Sequence, residues 1–168
     1  MELTKQLIAT LVVALRNYQT MQVLNLLPPF IEDMAHDLGL SNETHQRIEV
    51  LIDGLNGALS GLPGAEKAVR VDNIGVLLIA GSLIHLHYSL VSNHDLNHIF
   101  DVCNELGIAQ LKRKRVADIF QRVCRGLRMS EFDRHLLQET FARNRSLQLE
   151  ELLLPKMMPS EQIFFRYS

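Results

Sequence analysis

The chain has 168 residues, 47% of them apolar, with 17 Lys+Arg against 19 Asp+Glu and a formal net charge of −2. That supply is enough for one domain with its own core, and it excludes a disordered chain or one that is basic throughout. Two cysteines, Cys103 and Cys124, are too few for a disulfide scaffold or a four-cysteine zinc site, and nine Gly with five Pro exclude collagen-like and low-complexity chains.

In chain order, Leu3, Leu7, Leu11, Ala14, Leu15 and Tyr18 recur at three and four residues, the period of one helix face. Met1-Glu2-Leu3-Thr4-Lys5 places no basic cluster ahead of this apolar run, and no small-residue cleavage site follows it, so a cytoplasmic location is the expectation. Pro28-Pro29 ends the first helix and opens a second, Phe30 to Leu38, which Gly39 stops. Ser41 or Asn42 caps a third helix, Glu43 to Leu59, and Gly61-Leu62-Pro63-Gly64 reads as a turn. Gly54, Gly57, Gly61 and Gly64, three or four residues apart, read as a small-residue face for close helix packing.

Ile74 to Val91 contains no Asp, Glu, Lys or Arg. A membrane span has this composition, but His85, His87 and flanking asparagines without aromatic or basic anchors favour the central helix of a bundle, about 73–92, capped by Asp72 or Asn73. No membrane insertion is expected. The alternation from Ile84 to Leu90 also suits a strand, but a lone strand leaves its backbone groups unpaired, so the helix is preferred. Asn93 is expected to start the next helix, which Gly107 ends. Leu111 to Leu127 and Glu131 to Arg143 follow, the latter capped by Ser130 with Asp133. A short apolar run from Leu147 is expected to break at Pro155. The whole reads as an all-α, single-domain bundle of six to eight helices over 1–155, with an apolar tail at 156–168.

Charge is polarised along the chain. Residues 1–111 hold five Lys+Arg against twelve Asp+Glu, residues 112–145 ten against four, and residues 146–168 two against three. On a helical wheel Lys114, Arg115, Arg122, Arg125 and Arg128 share one broad face with Asp118 and Gln121, and Lys112 adjoins it. Such a face suits an acidic protein, nucleic-acid phosphates or an anionic surface, or it is a solvated face balancing the acidic helices. Val102 to Ile108 has the form of the first half of a helix-turn-helix, with Gly107 at the turn, but Arg113 stands where the second half needs an apolar residue.

His94 and His98, at i and i+4 on one expected helix, are weak candidates for metal ligands. His85 and His87 read as hydrogen-bonded residues beside the core. No Glu-x-x-His, His-Glu-x-x-His, phosphate-loop or Gly-x-Ser-x-Gly pattern is present, so no catalytic residues are assigned and no cofactor is called for. Arg125 next to Cys124 would lower that thiol's pKa mildly. At the C-terminus Met157, Met158, Ile163, Phe164, Phe165 and Tyr167 crowd into eleven residues, which suits self-association as a homodimer or binding to a partner. The functional expectation is a non-enzymatic regulatory or adaptor protein that binds another protein. The alternatives are a nucleic-acid-binding transcriptional regulator using the basic helix at 110–128 and, more weakly, a metal- or ligand-binding bundle.

Overall fold

The computed structural model describes residues 4–40, 44–59, 71–94, 96–108 and 111–157. Among these residues the protein is all-α: α1 Lys5–Val23, α2 Pro29–Asp37, α3 Thr44–Leu59, α4 Asn73–Ser92, α5 Leu96–Leu106, α6 Arg113–Gly126 and α7 Glu131–Met157. The turn expected at 61–64 lies outside the described residues.

The sequence of α4 determines its place at the centre. A helix that is apolar on every side has no face to give to water, so it must be covered all round. α4 touches α1, α2, α3, α6 and α7. It is the one described helix long and apolar enough to cross a membrane, and 83% of its most apolar window is buried inside the fold. Leu77, Leu78, Leu83, Ile84 and Leu86 are buried to 2% exposure or less, each contributing about 1.5–3 kcal/mol of transfer free energy. α1 is the second hub: it packs on α4 and also holds α3 and α5, while α6 and α7 cover α4 directly.

Two polar contacts key α4 from opposite sides. His85 and His87 lie about 200° apart on the helix, so they face different neighbours. His85 Nδ1 is 3.3 Å from the Asn17 amide nitrogen of α1, which also approaches Ser89 Oγ at 3.4 Å. His87 Nδ1 is 2.6 Å from the Asn144 amide nitrogen of α7 and packs beside Phe141, which stacks on Phe120 of α6. These histidines lie within the core rather than beside it. An amide nitrogen only donates, so each Nδ1 accepts and each neutral ring carries its proton on Nε2. Burial, aided by nearby His94, lowers the His85 pKa to about 3.

Helix ends follow local chemistry. Thr4 Oγ1 accepts from the Leu7 N–H, Asp72 Oδ1 from Gly75 and Ser130 Oγ from Asp133, capping α1, α4 and α7. Four helices end in the same motif, a left-handed residue followed by an N–H reaching back five residues: Leu26 to Met21, Leu40 to Ala35, His94 to Ser89 and Ile108 to Cys103. The left-handed residues are Asn25, Gly39, Asn93 and Gly107.

Three expectations need correction. Asn93 does not start a helix; its left-handed backbone, φ 56°, ends α4, and α5 begins at Leu96. Pro155 does not break α7: the helix runs from Glu131 through Pro155 to Met157, with the proline, whose φ is already helical, only two residues from its end. Gly54 and Gly57 lie on the exposed side of α3, and a Cβ at Gly57 would meet open space. The close approaches occur on α4, where a Cβ at Gly75 would lie 2.7 Å from Val71 Cγ1 and one at Gly81 would lie 3.1 Å from Met34 Cε.

Candidate interaction surface

α6 is the sharpest amphipathic helix in the fold. Val116, Ile119, Phe120, Val123 and Cys124 recur at i, i+3, i+4, i+7 and i+8 and are all buried, chiefly against α4. Anchoring that stripe fixes what the other side presents. Lys112, Arg113, Lys114, Arg122 and Arg125 are exposed, with Asp118 among them. Arg115 is half-buried, and its Nε is out of water with no hydrogen-bond partner among the described residues. Gln121 leaves the face: it exchanges two side-chain hydrogen bonds with Gln138 of α7, at 3.2 and 2.9 Å. Arg128 is exposed but lies beyond α6, after Leu127 turns extended, so it neighbours the cationic row without being on its helical face.

Three arginines elsewhere are paired with carboxylates, whereas Arg143 of α7 is exposed and has no ion pair among the described residues. Arg16 pairs with Glu105 at 2.7 Å, Arg47 with Asp72 at 3.1 Å and Arg134 with Glu131 at 3.6 Å. Arg134 also donates to the Cys124 carbonyl, satisfying the end of α6. Among the described residues no carboxylate lies within ion-pair distance of Lys112, Lys114, Arg115, Arg122, Arg125 or Arg128. The placement also opposes the helix dipole. α6 begins at Lys112 with no side-chain cap, has no acid in its first turn and carries Arg113, Lys114 and Arg115 there instead. Each cation at a helix N-terminus costs about 0.3–1 kcal/mol at low ionic strength.

Beside the start of α6 lies a groove of about 490 Å³, lined among the described residues by Leu90, Leu96, Phe100, Cys103, Ile108 and Leu111 with Asn104. Phe100 stands 48% exposed at this groove. Sequence reasoning missed it because its walls come from the end of α4, from α5 and from the connection to α6. The signal that could have found it is Phe100, an aromatic at the edge of the α5 apolar stripe.

The other candidates fare differently. α5 rests on α1 and α6 on α4, with six residues between them and little mutual packing, unlike a compact helix-turn-helix pair. His94 precedes α5, so it and His98 do not share one helix, and no group of three or more His, Cys, Asp or Glu among the described residues is placed to hold a metal ion. His94 Nδ1 and His98 Nε2 are both buried without a described partner. Cys124 is not activated: burial raises its pKa to about 11, outweighing Arg134 and the Gln138 hydrogen bond. Met157 ends α7, and Met158, Ile163, Phe164, Phe165 and Tyr167 lie outside the described residues. No family model matches the chain, and no match was found among curated proteins or solved structures.

Proposed function

We propose that the protein is a non-enzymatic regulatory or adaptor protein that binds an acidic partner protein through α6. One observation carries this reading: a row of exposed cations, unpaired among the described residues, stands on a rigidly anchored helix, and its first-turn members oppose that helix's own dipole. The fold gains nothing from the cations in the first turn, and residues that break a local rule without internal compensation are expected where a partner supplies the compensation. Asp118 within the row favours a patterned acidic protein over a uniform polyanion.

Nucleic acid is the second reading, favoured by the uncapped α6 N-terminus, where free backbone N–H groups and four consecutive cations suit a phosphate. Capture of partners from the native host, with and without nuclease, tests the first reading. Retention of the partner after nuclease and its loss on Arg122→Glu with Arg125→Glu supports it. Partners that vanish with nuclease, together with a steep salt dependence of binding to duplex DNA, transfer the function to nucleic acid. The apolar residues Met157 to Tyr167 add a proposed self-association surface. Light scattering on a chain ending at Met157 tests it, and an unchanged mass in solution would remove it.

A further inference from the structure

The reading of α6 as the receptor for an acidic protein, on which this inference rests, extends to the shape of that partner. Lys112, Arg113 and Lys114 follow Leu111 directly, so the cationic row begins where the groove ends. We infer that this groove takes the apolar face of an acidic amphipathic helix, a segment of the partner with large apolar residues at i, i+3 or i+4 and i+7, and with Asp or Glu on the flank facing α6.

A helix satisfies its own backbone hydrogen bonds and asks only for side-chain pockets; the described side chains lining the groove are apolar except for Asn104, and the polar share of the groove surface meets the polar flanks of such a helix. A peptide binding as an added strand would need a sheet edge, and none exists among the described residues. Burial raises the Cys103 pKa, so the groove wall stays uncharged. Phe100 supplies a half-exposed aromatic anchor, a residue type enriched at protein interfaces. Charge sets both sign and direction. Lys112 and Lys114, without carboxylate partners among the described residues, attract acids on one side. On the other, the exposed face of α5 carries Asp101, which repels them.

The probe is a labelled synthetic amphipathic peptide of about 16 residues, long enough to hold a helix, with Leu on one face and Glu on the other, titrated into the full chain. Binding that weakens at least about tenfold with Phe100→Glu, and similarly with Lys112→Glu plus Lys114→Glu, supports the inference. Phe100→Ala, which adds no charge to the groove, should weaken it in the same direction with only a small drop in melting temperature. Replacing the peptide's Glu by Lys should abolish binding. Failure of the acidic peptide to bind, equal binding to Phe100→Glu, or equal binding of the Lys peptide overturns the inference. Self-association that Phe100→Glu abolishes, or peptide binding seen only after deletion of 158–168, would give the groove to a second copy or to the chain's own end and also overturn it. A native partner lost with Arg122→Glu plus Arg125→Glu but retained by Phe100→Glu would sink the groove alone. A partner retained by all cationic-face variants would sink both readings.

Discussion

α4 and α6 lie against each other, yet they answer water in opposite ways. α4 has no charged residue between Ile74 and Val91 and gives every face to the protein, with its polar side chains His85 and His87 paired to Asn17 and Asn144. α6 gives one stripe to α4 and keeps cations on the other side. Folding accounts for nearly all of the first helix; the exceptions are His85 Nε2, buried without a hydrogen-bond partner among the described residues, and Leu90 at the groove. The second is only half accounted for, and the unexplained half is where binding is proposed.

The comparison breaks first at α4 if that helix is less central than described. Leu83→Asp places an unpaired charge where no water reaches and should destabilise the protein by about 4 kcal/mol or more. Leu78→Asp should do the same. Denaturant unfolding of both variants at the wild-type midpoint would show that this helix is not the core.

His85 gives a pH handle on the same helix. Its pKa in the folded protein, about 3, lies below the ordinary 6.5, so the unfolded chain binds the proton more readily. The stability tied to neutral His85 is therefore complete above about pH 6.5 and is lost as pH falls toward 3, at up to about 1.4 kcal/mol per pH unit. His85→Gln should flatten this part of the stability profile. An unchanged slope in that variant would mean that other groups set the acid limit.

Much of the fold was legible because these helices are written in long-range periodicity and strong stop signals: the i, i+3, i+4 pattern of α6, the uncharged run of α4, Gly39 and Gly107. What was illegible is local and ambiguous. Asparagine caps either end of a helix, so Asn93 read as a start although its left-handed backbone makes it a stop. The choice depends on whether the His94 N–H finds the Ser89 carbonyl, which spacing alone does not reveal. The cationic row was visible as composition, but its lack of carboxylates within ion-pair distance among the described residues depends on where other helices place theirs. The groove at Phe100 was hidden because it is a property of three segments meeting.

Asn93 yields the next prediction. Asn93→Ala forces a Cβ-bearing residue without a local hydrogen-bonding side chain into φ 56° and should cost about 1–2 kcal/mol, whereas Asn93→Gly should cost little. Equal losses would indicate that the Asn93 side chain, rather than the backbone conformation, is what matters there.

The smallest effect on stability draws the contrast most sharply. Lys114 lies in the first turn of α6, exposed, with no carboxylate partner among the described residues. If that cation serves only the fold, Lys114→Glu should be harmful or neutral. The dipole argument gives the other sign: an acid in the first turn should stabilise α6 by about 0.3–1 kcal/mol at low ionic strength, and the gain should shrink as salt screens it. Partner binding should fall at the same time. A variant that melts slightly higher and binds worse would separate folding from function at a single side chain. A variant that melts lower, in a way that salt does not change, would mean that Lys114 is part of the scaffold, and the division between the two faces of α6 would be drawn in the wrong place.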